Sequence, residues 1–369
     1  MNFDVLDEGF VIRRNPHEIE PVAVGSRCAV APNGDLVCSY SLQSALGIND
    51  FVPNISRSTN GGNSWSEQGV IWPNRKVKFS IIGSVSLAPT GDLFFYGIQI
   101  PIDTPGELFS RKSPSRIKQN DLIWAKSTDH GWTWSEPQII SKPTTGSAEA
   151  PGPMCVTRSG RWLACYAPYR SFDQSLEIDR RQIVVVSSDD QGTTWSGQSM
   201  LRFDPPQSSG SEAWVVELAD GKLLGACWHI NEDIGEDYPN ACAVSTDNAN
   251  SWGPTHATGI LGQSPGLAAL PDGRALMVYN QRKQSPYGVR LALAEIRENK
   301  FHRLADQLVW QTESPTQSQS SGNHVDWEDF AFGEPSVTVL NQNELLVTLW
   351  CIQPSGQGIR YIRLGILEK

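Results

Sequence analysis

Ser86-Leu87-Ala88-Pro89-Thr90-Gly91-Asp92-Leu93-Phe94 reads as two short apolar runs joined at a tight turn. The Thr-Gly pair supplies the positive φ that a two-residue hairpin turn requires, so the stretch is predicted to be a β-hairpin. The same unit stands at Cys28–Val37, Val156–Leu163, Val216–Leu224, Leu270–Leu276 and Val339–Leu346, turning on Asn-Gly, Ser-Gly, Asp-Gly, Asp-Gly and Gln-Asn. The turn residues Gly34, Gly91, Gly160, Gly221, Gly273 and Asn343 follow one another at intervals of 52 to 70 residues. Such a spacing suits a four-stranded blade with its loops, and rings of roughly 4–8 blades are the usual result. No long stretch keeps a period near 3.6, so helix is a minor component. The fold class expected is all-β, a six-bladed β-propeller, with residues 1–369 as a single domain. The strand near Phe10-Val11-Ile12 is expected to close the ring beside Ile359–Arg363 in the last blade.

A second motif follows the hairpin in four of the six units. It reads Ser58-Thr59-Asn60-Gly61-Gly62-Asn63-Ser64-Trp65, then Ser127-Thr128-Asp129-His130-Gly131-Trp132-Thr133-Trp134. It returns as Ser188-Asp189-Asp190-Gln191-Gly192-Thr193-Thr194-Trp195 and as Ser245-Thr246-Asp247-Asn248-Ala249-Asn250-Ser251-Trp252. The physical reading is a turn between two outer strands. Asp or Asn accepts bonds from its own turn backbone, Gly takes the left-handed position, and Trp packs beneath. A feature repeated around a ring is a structural staple rather than four metal or sugar sites. Asn60 in the first copy and Ala249 in the fourth are expected to weaken theirs.

The bulk numbers bound the function. With 39% hydrophobic and 19% charged residues, the chain can fill a large core and carries no signature of disorder. The net charge of −10 repels phosphate backbones, so no nucleic-acid partner is expected, although a local arginine cluster can still attract a small anion. Seven scattered cysteines without a CxxC pair read as buried free thiols. No segment approaches the ~20 apolar residues of a membrane helix, and Met1–Pro16 holds no secretory apolar run. The expectation is a cytoplasmic protein without a membrane partner, or a secreted one if a leader was removed. There is no HExxH, P-loop or GxSxG, and the six histidines do not pair at metal-ligand spacing. Neither a metal nor a cofactor is expected.

Turns of the form S-x-D-x-G-x-T-W inside propeller blades are Asp-boxes, or BNR repeats. In carrying them the chain resembles the sialidase (neuraminidase)-like superfamily from the first hairpin to the last. The resemblance implies glycoside hydrolysis and can be followed residue by residue. An Arg expected ahead of the first inner strand falls on Arg27, in Gly25-Ser26-Arg27-Cys28. An acid/base Asp expected before the first Asp-box falls on Asp50, in Ile48-Asn49-Asp50-Phe51. A Glu expected ahead of the fourth hairpin falls on Glu212, in Ser211-Glu212-Ala213-Trp214-Val215-Val216-Glu217-Leu218-Ala219-Asp220-Gly221. A further Arg in the fifth blade falls on Arg290, with Arg282 as its rival. Two positions depart from the family. Glu334, in Phe332-Gly333-Glu334-Pro335, stands where the nucleophilic Tyr falls, and Trp228-His229-Ile230 stands where another Arg falls.

Paired carboxyl groups cleave glycosidic bonds, one protonating the leaving oxygen and the other acting as nucleophile or base. Asp50, Glu212 and Glu334 are the catalytic candidates. Arg27, His229, Arg290 and Trp327 are the candidates for holding a glycan substrate. The inner strands start at one end of the channel, with Arg27, Ser84, Pro153, Glu212, Ser264 and Glu334 at near-equivalent positions. The function expected is a sialidase-like glycoside hydrolase removing a terminal, acidic sugar. Two alternatives stay open: a polysaccharide lyase using His229 and a Tyr next to a uronate, and a propeller that only binds glycan or protein.

Overall fold

The computed structural model describes residues 2–112, 115–150, 152–318 and 327–367, without the side chains of Lys112 and Trp327. Six antiparallel sheets follow in chain order, and the first strand of each lies innermost. In blade 1 the order from the centre outward is Val22–Val30, Leu36–Gln43, Val52–Ser58 and Ser66–Val70. Blade 2 begins at Phe79–Leu87, blade 4 at Ser208–Glu217 and blade 5 at Gln263–Ala269. Blade 3 has a broken inner strand, with Ser147–Glu149 and Cys155–Val156 both pairing with Trp162–Tyr169. Blade 6 runs Phe332–Asn341, Glu344–Gln353 and Gly356–Leu367, and its outermost strand is the N-terminal Asn2–Arg14. Phe10 there stands opposite Arg360 and Ile12 opposite Ile359.

Apolar residues alternate along these strands so that each sheet buries both faces against its neighbours. Six hydrophobic clusters result, one between each adjacent pair of blades. Val24, Tyr40, Trp350 and Ile359 belong to the one joining blade 6 to blade 1, which makes the ring continuous. The protein is a six-bladed β-propeller.

The hairpin at Gln342-Asn343 has the expected two-residue loop, with Asn341 paired to Glu344, but the other five differ from it. Gly34, Gly91, Gly160, Gly221 and Gly273 do take left-handed φ of 87–91°. Each, however, ends a three-residue loop closed by a backbone pair such as Ala31 N–H to Asp35 O at 2.8 Å. This is a type I turn followed by a left-handed residue, a form that Pro at the first loop position favours in Pro32-Asn33-Gly34 and Pro89-Thr90-Gly91.

The four outer turns share one bonding pattern. The Ser hydroxyl donates to Asn60, Asp129, Asp190 or Asp247 and accepts an N–H from Gly62, Gly131, Gly192 or Ala249 at 2.8–2.9 Å. The acidic side chain in turn accepts the N–H of Thr133, Thr194 or Ser251 at 2.8–2.9 Å. These bonds hold the three Asp carboxyls down at about 2. Each Trp then packs on the cluster shared with the preceding blade: Trp65 on blade 6, Trp134 on blade 1, Trp195 on blade 2 and Trp252 on blade 3. The turns therefore staple blade to blade.

Candidate active site

The pairing registers locate the strand starts. Four inner strands carry a β-bulge at one level, where two residues face a single residue of the next strand. The pairs are Gly25-Ser26 in blade 1, Glu212-Ala213 in blade 4, Ser264-Pro265 in blade 5 and Glu334-Pro335 in blade 6. The first residue of each is left-handed, with φ of 67°, 51°, 52° and 45°. For Glu, Ser and Glu this conformation costs on the order of 1 kcal/mol each, a strain that accumulates where side chains are re-aimed for a purpose. The equivalence expected from sequence is corrected by two residues in blade 1. Gly25, not Arg27, matches Glu212, Ser264 and Glu334, while Arg27 shares its level with Trp214, Gly266 and Ser336. Blade 2 pairs without a bulge through Ser84.

The bulges gather charge at one mouth of the channel. Glu212 is half-buried, one of its oxygens lies buried without a partner, and its own amide donates to Glu149 Oε2 at 2.8 Å. Burial, then the charge of Glu334, pushes the Glu212 carboxyl up to about 7 against the pull of Arg282, Ser264 and Arg27. Burial, then the charge of Glu212, pushes Glu149 up to about 8 against the Glu212 N–H and Arg180. Both carboxyls are thus held above the ordinary Glu range, which favours their protonated forms relative to a free carboxyl.

Two buried arginines face these glutamates, each only 4% exposed. Arg27 donates from Nη1 to the carbonyls of Ser26 (2.7 Å) and Glu334 (3.1 Å), and its guanidinium lies 4.9 Å from the Trp214 ring centre. Arg282 donates to Phe332 O at 3.4 Å and Ser264 Oγ at 3.5 Å and lies 3.9 Å from the Phe330 ring centre. Burial lowers both guanidinium pKa values, opposed by the charges of Glu212 and Glu334. Behind Arg282, Asp237 accepts from Trp228 Nε1 (3.0 Å) and Lys283 Nζ (2.8 Å). Toward the opposite mouth the channel holds a cavity of about 250 Å³ between Arg27, Trp214 and apolar side chains such as Val85, Leu267 and Val337.

Of the residues singled out from sequence, Glu212, Glu334 and Arg27 come together here. Asp50 lies on the loop after the second strand of blade 1, where both carboxylate oxygens accept the Ser44 N–H (3.3 and 3.4 Å). His229 is sandwiched between Phe203 and Tyr238, ring centres 4.5 and 4.6 Å away, and burial lowers its pKa to about 4. Arg290 lies on the third strand of blade 5 and is paired with Asp306 at 2.7 Å, while its rival Arg282 joins the cluster. The side chain of Trp327 lies outside the described residues. Sequence reasoning missed Glu149, although a lone charge in Ser147-Ala148-Glu149-Ala150-Pro151 repeats the Glu-Ala context of Glu212-Ala213. Glu149 reaches Glu212 because the adjoining break in blade 3 packs on blade 4: a Cβ on Gly152 would fall 2.3 Å from the Ala213 carbonyl oxygen. Among the described residues no group of three or more His, Cys, Asp or Glu could hold a metal ion.

A family model described as a BNR repeat-like domain matches residues 34–310. The chain belongs to the BNR repeat-like family. A sialidase of Micromonospora viridifaciens is 31% identical to this BNR protein over 244 residues, covering 61% of this chain and 35% of the sialidase. The chain thus spans about a third of that relative's length. Among solved structures, a Hadza microbial sialidase superposes with a TM-score of 0.69 at 16% identity, covering 96% of this chain and 68% of its own. An α-L-arabinanase of Penicillium chrysogenum, complexed with arabinobiose, superposes with a TM-score of 0.65 at 15% identity over 98% of both chains. The fold is that of the sialidase-like propellers, shared by glycoside hydrolases of different specificity.

Proposed function

We propose that this BNR protein is a glycoside hydrolase that removes a terminal sugar from a glycan through a carboxyl pair drawn from Glu149, Glu212 and Glu334. The observation that carries the reading is the Glu149–Glu212 contact beside Glu334 and the two buried arginines. Environments that raise one carboxyl and leave a second facing cations are how a site divides acid and base roles. A carboxyl held above the ordinary Glu range, as Glu149 and Glu212 are, can give its proton to the leaving glycosidic oxygen. Arg27 and Arg282 offset the negative charge beside them, and the strained bulges fix the carboxyl directions before substrate arrives. The acidic sugar implied by the resemblance would need Arg27 and Arg290 for its carboxylate, and Arg290 is committed to Asp306.

Digestion of an oligosaccharide panel in water enriched in heavy oxygen tests the proposal. Hydrolysis places the heavy oxygen in the released sugar. An unsaturated product absorbing in the near ultraviolet, without the label, would identify a lyase instead, and glycans bound but returned intact would identify a binding propeller.

A further inference from the structure

The charges at the channel mouth limit which sugar can enter. The two guanidinium groups facing Glu212 and Glu334 are Arg27 and Arg282, and each feels both carboxylates. Glu149 adds a third carboxyl at the same place. The neighbouring cations are already engaged: Lys283 with Asp237 at 2.8 Å, and Arg170 and Arg180 with Glu232. The two central arginines are partly committed as well, although the Nε of each is buried without a hydrogen-bond partner. Arg27 Nη1 serves two backbone carbonyls, Arg282 reaches the Phe332 carbonyl and Ser264, and aromatic rings lie over both groups. Stable capture of a carboxylate at such a guanidinium needs positive charge that neighbouring carboxylates do not already offset.

We infer that the sugar accepted at this site is neutral, an aldose residue without a carboxylate, so that the pocket discriminates against sialic acids and uronic acids. The inference rests on the hydrolase reading and names its substrate class. A substrate carboxylate would add a negative charge to a half-buried centre whose cations are already matched. Like charges brought together in such a place cost several kcal/mol, which corresponds to roughly a hundredfold or more in kcat/KM. A neutral sugar meets no such penalty, and its hydroxyl groups can donate to the glutamates.

The test uses aryl glycosides of neutral pentoses and hexoses beside an aryl glucuronide and an aryl sialoside, with direct binding of the matching free oligosaccharides measured by calorimetry. The expected result is aryl alcohol release from a neutral member, with the acidic members at least roughly a hundredfold slower. Preference for an acidic member overturns the inference and leaves the hydrolase reading standing. If nothing is released but neutral oligosaccharides bind in preference to acidic ones, the hydrolase reading fails and the ligand class stands. Acidic binding, or no binding at all, without release overturns both. Glu334→Gln supplies a second readout. Removing one negative charge should tighten the binding of free N-acetylneuraminate, and unchanged or weaker binding in a folded variant counts against the charge argument.

Discussion

At the scale of single residues, the proposed chemistry falls on Glu149 and Glu212, and their raised pKa values would set its pH behaviour. If the proton of one of these carboxyls is the one donated, kcat/KM is retained below that carboxyl's titration and falls as pH rises through about 7 to 8. A flat profile to pH 9 would remove the acid role. Stability follows the same sign. An unfolded Glu titrates near ~4.3, so between there and about 8 the folded chain holds more protons than the unfolded one. The contribution is fully present below the unfolded value and is lost as pH rises through the folded one. Glu149→Gln should therefore match the wild type in Tm near pH 4 and exceed it at pH 9. Part of this site was legible in the sequence, because Glu212 precedes an apolar hairpin strand that a charge enters only for a reason. Glu149 was hidden by long range, and so was the choice of Arg282 over Arg290: their partners lie in other blades, and only ring closure brings them together.

At the scale of elements, the outer turns work by matching backbone angle to residue. Ala249 sits at φ 61°, where a side chain is strained and the other copies have Gly. Its Asp247 nevertheless keeps the full set of bonds, so the weakness expected from sequence lies in the backbone alone. Ala249→Gly should raise stability by about 0.5–1 kcal/mol, read as a small increase in Tm. Gly192→Ala should act oppositely, by about 1–3 kcal/mol, because its Cβ would meet the rings of Trp124 at 2.7 Å and Trp162 at 2.8 Å. Equal effects of the two substitutions would refute the staple account. The turns announced themselves through local Ser, Asp, Gly and Trp chemistry. The bulges at Glu212, Ser264 and Glu334 did not, since a left-handed Glu or Ser leaves no compositional mark.

At the scale of the whole molecule, the ring is closed by the strand farthest from its partner in sequence. Phe3 is fully buried among Leu276, Val289 and Leu345, and Gln307 bonds both its amide and its carbonyl. Phe3→Ala should cost about 3–5 kcal/mol, a loss out of proportion to its place near the terminus, measurable by urea denaturation. The blade number was legible because six hairpins recur at blade spacing, whereas the charge balance on which the inferred sugar preference rests is assembled from several blades. The measurement that tests the central claim most directly is the turnover of Glu212→Gln on whichever glycoside the wild type cleaves. The account predicts an unchanged circular dichroism spectrum and Tm no lower than wild type at pH 8, with kcat reduced by roughly 10²–10⁴. A folded Glu212→Gln variant with wild-type kcat and KM would contradict it and remove the carboxyl cluster from the reaction.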